Sequence, residues 1–193
     1  MMLCTHMDGF ASAASSWVMR HRRLIQTGRV LDVACGHGRN LYPLLGLGLE
    51  LFGVDRDTAA FEQLKQAGVR TLAVDLENEG HAVLPFEDAS FAAIIVCNYL
   101  HRPLFPRLLK LLAPGGVMLY ETFAAGNAQF GKPSRPEFLL NEGELLRLIA
   151  SCPEIVMDVI AYESGYVDVP KPAQIQRICA RRQGGAKQLN RLA

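Results

Sequence analysis

The sequence predicts an α/β fold, a doubly wound and mostly parallel sheet of seven strands, on three observations. Short apolar runs alternate with stretches of helical spacing along the whole chain. Half of the 193 residues are hydrophobic, which suits a sheet covered on both faces. The first apolar run, Val30–Val33, passes into the small-residue turn Ala34-Cys-Gly-His-Gly38, the place where such sheets approach a ligand.

Taken in order, a helix is expected over about 16–26, with Trp17, Val18, Leu24 and Ile25 inward and Arg20, Arg22 and Arg23 outward. The first strand follows at 30–33. After the glycine turn, Leu41, Leu44 and Leu45 have helical spacing, so a helix is expected to start at Arg39. The second strand, 51–55, ends in Asp55. A helix over 58–67 is closed by Gly68, and the third strand, 70–75, ends in Asp75. Residues 90–97 read as a buried strand leading into Asn98-Tyr-Leu-His-Arg-Pro103. A helix over 103–112 is stopped by Pro114-Gly-Gly116, and the fifth strand spans 117–120. Residues 124–141 form a long connection with Gly126, Gly131, Pro133 and Pro136; a loop of that length inside a domain is usually functional. A helix at 142–150 and strands at 155–162 and 174–182 complete the chain, with Pro170-Lys-Pro172 at the last turn. The chain is expected to be one domain over 1–193, with residues 1–14 and 184–193 flexible.

The chemistry of the first turn is selective. Gly36 and Gly38 let a ligand approach the backbone. A helix start behind them would offer unpaired N–H groups. The dinucleotide fingerprint G-x-G-x-x-G/A fits badly, because Leu41 stands where the third small residue belongs. Asp32, at the tip of the first strand, repels phosphate and attracts a cation. S-adenosylmethionine (SAM), with an ammonium and a sulfonium and no phosphate, suits it. Asp55 follows Asp32 by 23 positions, near the spacing at which an acid accepts hydrogen bonds from ribose hydroxyls.

As a set, Val-Leu-Asp32-Val-Ala-Cys-Gly36-His-Gly38, Gly-Val-Asp55, Val-Asp75-Leu and Leu-Ala-Pro-Gly-Gly116 resemble the class I SAM-dependent methyltransferases over about residues 15–182. The Cys-Gly-His-Gly-Arg-Asn stretch is most similar to the tellurite-resistance and small-molecule branch. The resemblance implies a Rossmann-like sheet in the order 3-2-1-4-5-7-6, its last strand antiparallel. It implies SAM as cofactor and S-adenosylhomocysteine (SAH) as product. The cofactor-binding set it implies is Asp32, Ala34, Cys35, Gly36, Gly38, Asp55, Arg56, Asp75, Leu76, Asn98 and Tyr99, with Asp75 near the adenine amino group. Two positions depart from the pattern: Ala34 stands where glycine is common, and Ala92 where an acid often follows the strand-four phenylalanine.

Tyr99, His101 and Arg102, just beyond strand four, are the candidate catalytic residues, with His101 the best base and Tyr99 and Glu121 behind it. The 124–141 loop, with Lys132 and Arg135, is expected to complete an acceptor pocket with a local positive field. Cys35 reads as a packing residue rather than a nucleophile, and His37 as a cleft-edge residue. The formal net charge of +1 gives no bulk case for nucleic-acid or membrane binding. Five cysteines, an odd number without a CxxC, indicate neither a disulfide framework nor a zinc site, and a reduced cytoplasmic setting is expected. Three functions are therefore weighed: a methyltransferase for a small-molecule acceptor, an RNA or protein methyltransferase, and a SAM-binding module without transfer activity.

Overall fold

A computed structural model describes residues 13–25, 27–78 and 84–184. Seven strands form one sheet in the order β3-β2-β1-β4-β5-β7-β6. They are β1 (Gly28–Val33), β2 (Leu49–Asp55), β3 (Arg70–Ala73), β4 (Phe91–Cys97), β5 (Leu112–Phe123), β6 (Met157–Val167) and β7 (Ala173–Arg182). The first five are mutually parallel, and β7 runs antiparallel to both β5 and β6. The expected architecture and strand order are those observed.

Alternation along the central strands separates two cores. Leu31, Val33, Phe52, Val54, Ile94 and Val96 face one side, where they meet α3 (Phe105–Leu111) and α4 (Glu144–Ile149). Val30, Leu51, Ala93, Ile95 and Leu119 face the other, under α1 (Ser16–His21) and α2 (Phe61–Gln66). Burial on both faces is why these strands read as near-continuous apolar runs.

The sequence reading needs correction after the glycine turn. No α-helix starts at Arg39. Residues 38–41 form successive turns, and only Tyr42–Leu44 makes a 3₁₀ segment. Pro43 lies inside the short connection, and Gly46 and Gly48 close it before β2 begins at Leu49. The apolar spacing reflects burial instead: Leu41 and Leu44 are buried among Trp17, Leu64 and Ile95. α1 starts at Ser16 as expected but ends at His21, the other helices are shorter than expected at both ends, and β5, β6 and β7 are longer. The tails expected to be flexible, 1–14 and 184–193, lie outside the described residues apart from 13, 14 and 184.

The 124–141 connection is stitched to the body rather than loose. Ala124 N–H donates to the Gln174 carbonyl (2.9 Å), Leu140 N–H to the Phe123 carbonyl (3.0 Å) and Ala125 N–H to the Leu140 carbonyl (2.8 Å). Buried Asn127 donates to the Pro133 carbonyl and accepts from Gln174 N–H. Buried Gln176 donates to the Asn141 carbonyl at 2.6 Å.

Candidate cofactor site

The carboxyl-terminal tips of β1 to β5 gather on one edge of the sheet, the edge where open α/β sheets bind ligands. A cavity of about 150 Å³ opens there, lined by Ala34, Asp55, Arg56, Val74, Asp75, Leu76, Glu77 and Tyr99. Six of these eight belong to the set expected from the sequence. Val74 and Glu77 were not in it. Both adjoin Asp75, and Glu77 N–H donates to Asp75 Oδ1 (3.0 Å), closing a turn that brings Glu77 to the rim.

The turn between β1 and the cavity is held by its own acid. Asp55 Oδ2 accepts from Gly36 N–H at 2.7 Å, and Oδ1 accepts from Asp57 N–H at 2.9 Å. Each oxygen keeps a further lone pair for a ligand. Ala34 has φ 55°, in the region glycine favours, which explains why glycine is the common residue there. Gly38 cannot be replaced cheaply: at φ +73° a Cβ would lie 2.3 Å from Leu64 Cδ2. Cys35 is buried beneath the turn with its sulfur against Gly53, and burial first, then the charges of Asp32 and Asp55, push its thiol far above the usual range. That is the setting of an inert packing residue.

Asp32 sits in the central strand, paired in register with Gly53 on β2 and Ile95 on β4. It is 1% exposed, and its Oδ2 has no hydrogen-bond partner among the described residues. Burial pushes its carboxyl up to about 8, against the pull of Arg39 and with a further push from Asp55. An orphaned acid in this position suits a cationic ligand group and opposes a phosphate.

Beyond β4, Asn98 has φ 58° and its N–H donates to the Glu121 carbonyl (2.9 Å). Tyr99 lines the cavity. Its hydroxyl is buried without a partner among the described residues, and burial, with the charges of Glu77 and Asp75, pushes the phenol well above its usual range. It is therefore a hydrogen-bond donor rather than a base at neutral pH. His101 is half-buried and opens the 3₁₀ turn Arg102–Leu104. Arg102 corrects the sequence reading. Its Nε and Nη2 donate to Glu144 (2.5 and 3.0 Å), its Nη1 to the Glu137 carbonyl and its Nη2 to the Leu139 carbonyl (both 2.8 Å). The guanidinium clamps the far half of the 124–141 loop and is not free for an acceptor. Arg135 is likewise engaged, in an exposed pair with Glu137. Lys132 is exposed.

A second feature had no signal in the sequence. Ser15, Asn40 and Glu121 meet beside the turn, although they lie far apart in the chain. Ser15 N–H donates to Asn40 Oδ1 (3.0 Å) and Ser15 Oγ to Glu121 Oε1 (2.9 Å). Glu121 is also paired with Arg177, which pairs with Glu163, an alternation set by the β5-β7-β6 register.

Comparison with known proteins shows what this chain is similar to. Residues 30–116 match the family model described as a methyltransferase domain. Phthiotriol/phenolphthiotriol dimycocerosates methyltransferase 1 of Mycobacterium ulcerans is 34% identical over 113 residues, covering 51% of this chain and 39% of that protein. The chain spans less than half the length of the curated relatives it matches, 45% and 39%. Among solved structures, TehB of Haemophilus influenzae superposes with a TM-score of 0.66 at 19% identity, over 86% of this chain and 61% of that one. The 1,6-didemethyltoxoflavin-N1-methyltransferase of Burkholderia thailandensis, solved with 1,6-didemethyltoxoflavin and SAH, gives a TM-score of 0.61 at 20% identity, over 87% and 76% of the chains. These structural likenesses speak for the fold. The matched segment, the strand order and the acid-tipped strands together make this chain similar to the class I SAM-dependent methyltransferases.

Proposed function

We propose that this chain transfers the methyl group of SAM to a small-molecule acceptor. The observation that carries the reading is the buried, unpartnered carboxyl of Asp32 beneath a glycine turn, beside a cavity walled by Asp55, Asp75 and Glu77. The residue set fits the cofactor: four acids, a phenol and backbone groups, facing a ligand with an ammonium, a ribose and an aminopurine. Asp32 would face the cationic side, Asp55 would accept from the ribose hydroxyls, and Asp75 would accept from the purine amino group. SAM supplies a methyl group already activated by its positive sulfur. The protein's share is to hold the acceptor in line and exclude water. A base is needed only for an acceptor protonated at neutral pH, and His101 is the residue assigned to that proton.

Several observations favour a small acceptor. The net charge of +1 offers no field for drawing on a polyanion. The 124–141 loop is pinned by Arg102 and Gln176, which suits a preformed pocket. The Burkholderia neighbour acts on a small heterocycle. An RNA or protein acceptor and a non-transferring SAM module are the competing readings.

Calorimetry decides the cofactor: SAM and SAH should bind and NAD should not, and the reverse pattern removes the reading. Asp55→Ala should weaken SAH by about 1.5–3 kcal/mol, the scale of hydrogen bonds to a charged acceptor. An affinity within about twofold of wild type would take Asp55 off the ribose. A screen of small acceptors, RNA and protein, following SAH release, then identifies the acceptor class. On that acceptor His101→Ala should slow transfer and leave SAM affinity nearly unchanged.

A further inference from the structure

We infer that Tyr120 is a positioning residue: its one side chain stakes the stretch 99–105 at both ends and so sets where Tyr99 walls the cofactor cavity. The inference rests on the cofactor reading above.

The ladder between β4 and β5 ends at Cys97, in register with Glu121. One residue on, Asn98 turns left-handed and leaves the sheet, its N–H still reaching the Glu121 carbonyl at 2.9 Å. Tyr99 lies past the ladder, and its carbonyl is taken by a side chain instead. The Tyr120 hydroxyl donates to it at 2.8 Å. Tyr120 stands in register with Val96 on β4 and Ile178 on β7 and is 1% exposed. A phenol buried that deeply needs an acceptor, and the one it finds is the backbone of a cavity residue.

The same ring holds the other end of the stretch. It stacks on Phe105, the first residue of α3, with centroids 4.8 Å apart and planes 26° apart. Between these two fixed points lie His101 and the 3₁₀ turn Arg102–Leu104. Tyr99 and His101, given above to the cofactor and to the acceptor's proton, thus belong to a span that Tyr120 fixes at each end. Tyr120 is not among the residues lining the cavity, so its effect on a ligand passes through Tyr99. A side chain locked by packing and hydrogen bonding behind a wall residue is what holds such a wall in place.

The test measures the SAH affinity of the full chain by calorimetry. Tyr120→Phe keeps the stack on Phe105 and removes the bond to Tyr99. It should weaken SAH about three- to tenfold, the scale of one net hydrogen bond. In a Tyr99→Ala background, where the positioned wall is gone, the same change should cost less than about twofold. In an Asp55→Ala background it should keep its full effect, because Asp55 is held by the Gly36 and Asp57 N–H groups and not by Tyr120. A residue that only stabilises the fold gives one factor in all three backgrounds. Phe105→Leu, which loosens the ring and keeps the hydroxyl, should weaken SAH in the same Tyr99-dependent way, and it decides the matter if Tyr120→Phe does not fold. Equal losses in the Tyr99→Ala and Asp55→Ala backgrounds, or wild-type affinity in Tyr120→Phe, refute the positioning role and leave the cofactor reading intact. If the wild-type chain takes up no SAH at all, the cofactor reading fails and the role of Tyr120 fails with it.

Discussion

An acid placed at the centre of a parallel sheet with an oxygen left unpaired costs the fold stability. Asp32 holds its proton up to about 8, far above the usual value of 3.8. Between those values the native state binds a proton that the unfolded chain has released. Stability therefore falls as pH rises through this window, and the loss is complete above about 8. Asp32→Asn removes the titration. Its melting temperature should exceed that of the wild type by a margin that widens from about pH 5 to about pH 9, while its SAH affinity falls. A margin that stays constant across that range would mean that Asp32 is ionised throughout. The acids at the strand tips were legible in the sequence because an acid ending an apolar run has few other uses. Ser15 and Asn40 were not, because a serine and an asparagine in loops give no sign of partners 106 and 25 positions away.

At the scale of elements, the strands and their order were readable, since two-sided burial leaves long apolar runs and the turn residues punctuate them. Helix lengths were less so. The spacing of Leu41, Leu44 and Leu45 satisfies a helix and a buried turn equally, and Pro43 decides between them. Its glycines alone would leave the 124–141 connection free to move. Side chains outside it, Arg102, Glu144 and Gln176, hold it down, and only the fold brings them there. The Arg102 hydrogen bonds come first among the causes that keep the Glu144 carboxyl below its usual value of 4.5. The clamp's contribution is thus present above the ordinary carboxylate range and disappears as acid protonates Glu144 below it. Hydrogen exchange across 124–141 should accelerate on that acidification. Arg102→Ala should produce the same loosening at neutral pH and cost about 1–3 kcal/mol, the penalty for a partly buried acid left without its partner. A variant with wild-type exchange in this loop would show that the backbone stitches suffice.

For the molecule as a whole, ligand and fold are coupled through the strand tips, where most of the described site residues also serve as structure. Asp55 closes the glycine turn, and Glu121 anchors α1. A ligand that binds the native state alone stabilises it by about 2.7 kcal/mol at a hundredfold excess over its dissociation constant. For a domain of this size that corresponds to roughly 5–10 °C in melting temperature. SAH at such an excess should give this shift, and NAD at the same concentration none. Equal shifts from both ligands would show that the acid-walled cavity does not discriminate.

The abbreviated connection after the glycine turn bears on that discrimination. Phosphate-binding turns draw on the aligned peptide dipoles of the helix behind them. Here the three residues Tyr42–Leu44 stand in for that helix, so almost no macrodipole points at the site. The local field is then governed by Asp55 and Asp75, with Asp32 protonated beneath them, and it is negative where a dinucleotide would set its pyrophosphate. Cofactor choice in this chain is thus made by subtraction: a prolyl residue and two glycines have removed the positive pole, and what remains can attract only a cation.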